Sequence, residues 1–125
     1  IADMLSQIKN AMLARHKSVS VPYSKLKEAI AGTLKNEGFL TGVSVEGETP
    51  KQKLTLTLTY VEDVPLITDI KRKSKPGLRV YVGATRIPKV LDGLGICIVS
   101  TPSGIMSGGE ARKKRLGGEL ICEVW

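Results

Sequence analysis

Apolar residues in the first 40 positions follow a helical period twice. Spacings of three and four residues over residues 1–15 place the apolar side chains on one stripe, which predicts an amphipathic helix. The same spacing predicts a second helix over 25–37. Ser24 is a residue type that caps helix N-termini, and Gly38 suits the left-handed conformation that often ends a helix. The chain is therefore expected to open with two short, capped helices.

Alternating patterns predict three strands around the second helix. Val19 and Val21 alternate with serines in the segment between the helices. Residues 39–46 and 53–60 predict a hairpin, because leucines and threonines alternate along the second of these segments. Turn-forming residues at 47–50 would connect the two strands. The first half thus predicts the order α-β-α-β-β, a two-layer unit with helices on one face of a sheet.

The second half predicts mainly short strands. Strands are expected at residues 66–71, 78–82, 96–99 and 119–125. A turn is expected at residues 74–77, one helical turn at 87–91, a glycine- and serine-rich loop at 100–109 and a short helix at 110–115. The predicted fold class is therefore α+β. Its N-terminal α-β-α-β-β half, at residues 1–62, would pack on a β-rich C-terminal half at residues 63–125 that carries one short helix.

The charge balance indicates an acidic partner. Nineteen Lys and Arg residues against 12 Asp and Glu residues give a net charge of +7. The excess is larger in residues 63–125, which hold 11 basic and 6 acidic residues, than in residues 1–62, which hold 8 and 6. Nucleic acid is the commonest polyanion that such a charge attracts. An anionic membrane surface ranks second. No apolar run approaches the roughly 18 residues of a membrane span, and a membrane partner is not expected.

The predicted 100–109 loop is the strongest candidate for a nucleic-acid contact. It carries four hydroxyls (Ser100, Thr101, Ser103 and Ser107) and three glycines, and four basic residues follow at 112–115. Hydroxyls both donate and accept hydrogen bonds, and they suit the ribose-lined minor groove of RNA. An ordinary turn-rich connection followed by a solvated basic helix explains the same composition equally well.

A second basic segment covers residues 71–75 and leads to Arg79 and Tyr81. Two residues that are two apart on a strand point to the same face, so a guanidinium and a ring would lie together. That pair suits base stacking or a backbone contact, although charge on an edge strand also protects it from aggregation. Glu119, beside the basic cluster, is expected to hold an Arg or to accept from a base amino group.

The chain offers little for catalysis. His16 is its one histidine, and no His or Cys spacing suits zinc, so neither a metal nor a cofactor is expected. The 100–109 loop lacks the spacing of a phosphate-binding P-loop or of a nucleophile elbow. Cys97 and Cys122 fall on apolar strands and are expected to be buried thiols. A phosphate-handling enzyme would need His16 as its base and ranks last.

Motifs along the whole chain resemble the protein-eight family of the bacterial small ribosomal subunit. Those motifs are IADML at 1–5, SKPGLRVY at 74–81, IPKVL at 87–91, GLGI at 93–96, ST at 100–101, Gly104 with Met106 and Ser107, EAR at 110–112, GGE at 117–119 and the ending Cys122, Val124 and Trp125. The resemblance keeps one order from the first residue to the last. It is therefore much more specific than any single motif.

The resemblance implies a cytoplasmic, non-enzymatic ribosomal protein. The family binds the central domain of small-subunit ribosomal RNA early in assembly, lies beside other small-subunit proteins such as protein five, and in several bacteria represses its own operon through messenger RNA. Its RNA contacts imply roles for Ser100, Thr101, Gly104, Ser107, Gly118 and Glu119, for Tyr81, and for Lys25 and Lys27. Arg112, Arg79 and Lys75 are further candidates, because they belong to the two basic segments.

Two residues differ from the family pattern, so not every family contact can be assigned to this chain. Pro102 and Ser103 stand where many relatives have a serine and a lysine, so contacts by those two side chains are not implied. The main alternative from the residues alone is a nucleic-acid-binding protein without sequence preference, for which charge would be the whole basis of binding.

Overall fold

Mixed helices and antiparallel strands confirm the α+β class. The computed structural model describes residues 2–48, 50–90 and 94–125, and the chain divides into two compact units, residues 1–68 and 69–125. The first unit contains α1 (Ala2–Leu13), β1 (Ser18–Pro22), α2 (Lys25–Asn36), β2 (Leu40–Glu46), β3 (Lys53–Leu58), β4 (Tyr60–Val61) and β5 (Val64–Pro65). The second contains β6 (Ile70–Arg72), β7 (Tyr81–Val82), β8 (Ile96–Thr101), β9 (Gly104–Ser107), α3 (Gly108–Lys113) and β10 (Gly118–Val124).

The two helices of the first unit form as their patterns predict. The apolar stripe of α1 is buried from Met4 to Met12. Ser24 caps α2, because its Oγ accepts a hydrogen bond from the Lys27 backbone N–H at 3.1 Å. Gly38 has a φ of +87°, the left-handed conformation expected just beyond the helix end.

The first sheet has the strand order β1-β3-β2 and is antiparallel throughout. Its central strand alternates as predicted: Leu54, Leu56 and Leu58 are buried, while Thr55 and Thr57 are half-exposed. The period of two therefore separates a core face from a hydroxyl face. The predicted order α-β-α-β-β is confirmed, and the short β4–β5 hairpin follows it.

The second unit is built around β10. This strand pairs with β8 along one edge and with both β6 and β7 along the other, and β9 extends the sheet beyond β8. One face of the sheet packs against α3 and the 84–90 segment. The core there consists of Ile87, Val90, Cys97, Val99, Met106, Ala111 and Leu120.

The prediction of a loop at 100–109 is wrong. Residues 96–107 form the β8–β9 hairpin, in which Pro102 and Ser103 alone make the turn between Thr101 and Gly104. Proline presets the φ of the first turn position, and Gly104 adopts a φ of +118° directly after the turn. The serines and glycines of this segment are therefore mostly strand residues, and α3 starts at Gly108.

Three other boundaries differ from the predictions. The strand expected at 66–71 is β6, at Ile70–Arg72, where the chain aligns with β10. The return strand expected at 78–82 is reduced to β7 and a bridge between Lys75 and Leu78. The helical turn expected at 87–91 is replaced by a 3₁₀ turn at Ala84–Arg86, and Leu91 lies outside the described residues. Among the described residues, no helix is long and apolar enough to cross a membrane.

Both cysteines are buried free thiols, as predicted. Cys97 lies opposite Glu123 and Cys122 lies opposite Ile98, so the two thiols point to opposite faces of the second sheet. A disulfide between them would need a change of strand register. Burial is the main reason that the pKa of Cys122 rises to about 12, and burial also raises the pKa of Cys97.

The raised pKa of Cys122 predicts a loss of stability in alkali. The unfolded thiol, with an ordinary pKa of 9.0, deprotonates before the folded thiol does. Its contribution is therefore complete below pH 9 and decreases as the pH rises toward 12. Between pH 8 and pH 10, the free energy of unfolding of Cys122→Ala should fall by about 1 kcal/mol less than that of the wild type. Urea unfolding at both pH values tests this, and equal falls would contradict it.

Candidate nucleic-acid interface

Strand pairing in the second unit brings together residues that are far apart in the sequence. Tyr81 of β7 lies opposite Glu119 of β10, Glu119 lies opposite Ser100 of β8, and Ser100 lies opposite Ile105 of β9. Directly opposed residues of an antiparallel pair point to the same face. These four residues, the Tyr81 row, therefore cross four strands on one face, with Tyr81 71% exposed and the other three half-exposed.

Arg79 is held beside this row by Glu119. Its Nη1 donates to Glu119 Oε2 at 3.1 Å, and the arginine side chain remains half-exposed. A surface ion pair adds little stability, but it restricts where the guanidinium points. Of the two roles expected for Glu119, holding an arginine or accepting from a base amino group, the first is observed, and Arg79 is the arginine. A planar cation with five donors, an aromatic ring and a hydroxyl are thus gathered on one surface.

Ser74, which was expected only as part of a turn at 74–77, has a buried hydroxyl that supports this arrangement. Ser74 Oγ accepts from the Val80 N–H at 2.9 Å and lies 3.3 Å from the Val80 carbonyl oxygen. Arg72 Nε donates to the Ser74 carbonyl at 2.7 Å. Ser74 thereby closes the loop that leads to Arg79. Lys75 begins the tight turn of that loop with its side chain exposed, and its backbone bonds Leu78 in both directions at 2.9 Å.

Thr101 is nearly buried, and its hydroxyl is used inside the hairpin. Its Oγ1 donates to the Gly104 carbonyl at 2.8 Å and accepts from the Ser103 N–H at 3.2 Å. The Thr101 side chain therefore shapes the turn, while Gly104 and its neighbours in the turn are exposed. Pro102 and Ser103 form this turn.

Ser107 and Arg112 are also bonded within the protein. Ser107 is buried, and its Oγ accepts from the Glu110 N–H at 3.3 Å, which caps α3. Arg112 Nη2 donates to the Ile87 carbonyl at 3.0 Å, so this guanidinium holds the 84–90 segment. Lys113 and Lys114 remain exposed on the same helix end.

Gly118 allows β10 to approach β8 closely. A Cβ at this position would overlap the Ser100 carbonyl oxygen and would lie 3.1 Å from the Thr101 Cα. Glycine is therefore required by space, since no side chain fits between the two backbones. The close approach sets the position of Ser100 relative to Glu119.

Lys25 and Lys27 belong to the first unit, at the start of α2. Lys25 is exposed, and the Lys27 ammonium donates to the Pro22 carbonyl at 3.4 Å. In the described part of the chain, no three His, Cys, Asp or Glu side chains gather as metal ligands would. The surface chemistry of the Tyr81 row and the adjoining Arg79 is thus hydrogen bonding, stacking and positive charge.

Comparisons with known proteins agree on one family. The profile of the ribosomal protein S8 family matches residues 1–125. The chain is 54% identical to the small ribosomal subunit protein uS8 of Nitratidesulfovibrio vulgaris (strain Miyazaki F), over all of this chain and 96% of that relative. The uS8 proteins of Roseiflexus castenholzii and Trichormus variabilis are 52% and 50% identical, again over the whole chain and 96% of each relative.

The lack of space around Gly118 and the open space around Gly109 predict opposite effects of alanine at the two positions. Gly118→Ala should lower the free energy of unfolding by about 1–3 kcal/mol, because the new methyl group forces β8 and β10 apart. Gly109→Ala should leave stability unchanged or raise it, since Gly109 lies in α3 with open space around its Cα. Denaturant unfolding of both variants measures the difference. Equal stability of the two variants would show that the strands tolerate a side chain at residue 118.

Proposed function

Because the chain belongs to the ribosomal protein S8 family, a family of small-subunit proteins, we propose that it binds the central domain of small-subunit ribosomal RNA through the Tyr81 row. The observation that carries this proposal is the register of β10. It aligns Tyr81, Glu119 and Ser100 across three strands and holds Arg79 beside them. The protein then acts as a structural constituent of the subunit, in the cytoplasm where ribosomes assemble.

Each group of the row has a distinct role in this proposal. The exposed ring of Tyr81 stacks on an unpaired base, and the Ser100 hydroxyl bonds a ribose hydroxyl or a base edge. Glu119 accepts from a base amino group while it keeps Arg79 directed at the RNA. The guanidinium of Arg79 contacts a phosphate. Shape and hydrogen bonding at the row would therefore supply specificity.

Electrostatic attraction would supply much of the affinity. Lys75, Lys113 and Lys114 are exposed in the more basic half of the chain and are suited to phosphate contacts. Lys25 and Lys27 are proposed to contact RNA backbone from the first unit. Such contacts release counterions, so binding weakens steeply as salt rises.

The internally bonded candidates are proposed to position the contact residues. Thr101 and Gly104 shape the hairpin turn beyond Ser100, and Gly118 sets the distance between Ser100 and Glu119. Ser107 caps α3, and Arg112 ties this helix to the 84–90 segment. Their substitution would displace the RNA-contacting groups even where they touch no RNA themselves.

Three finer expectations come from the family resemblance. We propose that binding occurs early in subunit assembly and that protein five of the small subunit is a neighbour. We also propose that the same surface binds the messenger RNA of the protein's own operon, where that RNA repeats the ribosomal fold. One surface would serve both RNAs, because the groups of the row recognise a local RNA shape.

Equilibrium binding at near-physiological salt tests the proposal against its main alternative. One RNA is a fragment of the small-subunit central domain, and the other is an unrelated duplex of the same length. We expect the fragment to bind at least about 100-fold more tightly, a threshold below the roughly 10³-fold and larger ratios that are typical of specific sites. Equal, steeply salt-dependent binding to both RNAs would favour a nucleic-acid-binding protein without sequence preference.

Substitutions should separate specificity from charge. Ser100→Ala should weaken binding to the fragment by about 1–3 kcal/mol and leave duplex binding unchanged, because it leaves an RNA polar group without a partner. The double variant Lys113→Ala/Lys114→Ala should weaken binding to both RNAs. It should also reduce the slope of log K against log salt by about 0.7–0.9 for each lost phosphate contact.

The matched control is Lys51→Ala/Lys53→Ala, which removes the same charge from exposed positions in the first unit. Its effect on the fragment should be clearly smaller than that of the α3 lysines. If both double variants weaken binding equally, overall charge rather than a defined surface drives the affinity. If Ser100→Ala retains full discrimination, the row is not the site of readout.

A further inference from the structure

The 73–80 segment, which leads from β6 to β7 and carries Arg79, lies outside regular strand pairing for most of its length. A tight turn from Lys75 to Leu78 reverses the chain within it. β7, which follows the segment, has only two residues, so strand pairing supplies few of the hydrogen bonds that would fix its position. Backbone groups outside a ladder need other partners. The direction of the exposed side chains in this part of the chain therefore depends on those partners.

Both ends of the 73–80 segment are bonded to β10. The backbone N–H groups of Lys73 and Ser74 donate to the Ile121 carbonyl at 2.9 and 3.4 Å. At the other end, the Leu120 N–H donates to the Val80 carbonyl at 2.8 Å. Because the two β10 residues are consecutive in the chain, the two ends of the segment meet at one point of that strand.

The Ser74 hydroxyl joins the two ends to each other. Ser74 is 3% exposed, and its Oγ accepts from the Val80 N–H at 2.9 Å and donates to the Val80 carbonyl at 3.3 Å. The Arg72 Nε donates to the Ser74 carbonyl at 2.7 Å, so the residue that carries the hydroxyl is itself held. A buried N–H without an acceptor is costly. The hydroxyl thus takes the place of a strand partner for Val80.

Val80 connects this hydroxyl to the candidate interface. Its side chain is partly buried against the core cluster that contains Val99 and Leu120. Side chains alternate along an extended chain, so the residues on either side of Val80 are directed away from that core. Both of them, Arg79 and Tyr81, are exposed. Fixing the backbone N–H and carbonyl of Val80 therefore fixes the direction of both neighbouring side chains.

We propose that Ser74 is a positioning residue for RNA recognition, which contacts no RNA itself and holds Arg79 and Tyr81 in the direction in which they bind. Side chains that are ordered before binding lose less conformational entropy when the ligand arrives. The hydroxyl thereby contributes to the affinity for the specific RNA rather than to general attraction for polyanions. This inference rests on the proposed function, since it assigns how the same surface is kept ready for its ligand.

RNA binding by Ser74→Ala tests the proposal. Binding to the central-domain fragment should weaken about tenfold, because two contact side chains become disordered in the free protein. Binding to the unrelated duplex should change less than about twofold, since every charge is retained. Thr33→Val is the matched control, as it removes another buried hydroxyl, one that donates to the Ala29 carbonyl at 3.0 Å within α2. It should change neither affinity.

A double-mutant cycle separates positioning from a loss of general stability. In a chain that already carries Arg79→Ala/Tyr81→Ala, adding Ser74→Ala should weaken fragment binding by less than about twofold, because the side chains that the hydroxyl positions are absent. A further tenfold loss in this background would contradict the proposal. It would show that the hydroxyl acts on binding by another route.

Hydrogen exchange in the free protein tests the positioning without RNA. The Val80 amide should exchange at least about tenfold faster in Ser74→Ala, because its N–H loses its acceptor. The Leu58 amide of the first unit, which donates to the Lys17 carbonyl at 2.9 Å, should exchange at its wild-type rate. Unchanged exchange at Val80 would show that the hydroxyl does not hold the segment, and would overturn the proposal.

A second variant covers the case in which Ser74→Ala does not fold. Arg72→Lys keeps the charge and removes the Nε donor of the Ser74 carbonyl, so it should speed exchange at Val80 and weaken fragment binding in the same direction. Wild-type protein that does not prefer the fragment over the duplex would refute the proposed function. Full preference retained by both variants would refute this inference alone.

Discussion

The close approach of β10 to β8 at Gly118 determines the geometry of the second unit. β10 is paired along both edges, so its register sets the positions of β6, β7 and β8 together. A shift of one residue would move every side chain of a strand to the other face. Gly118 fits this register, because any side chain there would overlap the Ser100 carbonyl. The alignment of Tyr81, Glu119 and Ser100 follows from the register of β10 against β7 and β8.

A register irregularity between Leu120 and Cys122 adjusts the faces of β10. Leu120 packs into the core beside α3, whereas Cys122 lies on the opposite face with Ile98. An extra residue in one strand redirects the side chains that follow it. Because of the irregularity, Leu120 of β10 faces the core beside α3, while Val124 is buried on the opposite face. Glu119, just before the irregularity, lies in the Tyr81 row.

Two surfaces of different chemistry belong to the two units. The Tyr81 row and the adjoining Arg79 of the second unit combine a ring, a guanidinium and a hydroxyl, and basic residues are abundant in that half of the chain. The β4–β5 hairpin of the first unit combines valines with two carboxylates. Positive and hydroxyl-bearing groups suit RNA, whereas the hairpin exposes apolar and acidic groups, so the two units differ in surface chemistry.

Local periodicity was enough to predict α1, α2 and the first sheet, because each is stabilised by apolar side chains spaced within one segment. The residues of the candidate site, the α+β class and the family were also accessible from the sequence. The tertiary structure decided which candidates share a surface. Tyr81, Ser100 and Glu119 meet through strand pairs that no local pattern encodes.

Tertiary structure also distinguished exposed hydroxyls from bonded ones. Thr101 and Ser107 have the same residue chemistry as Ser100, yet their oxygens are bonded within the protein. The 100–109 segment looked like a loop because its turn residues and its strand residues have similar composition. Residues 100–101 complete β8, and residues 104–107 form β9 because they pair with the edge of β8. Composition thus determined which chemical groups the chain possesses, and strand register decided which of them face outward.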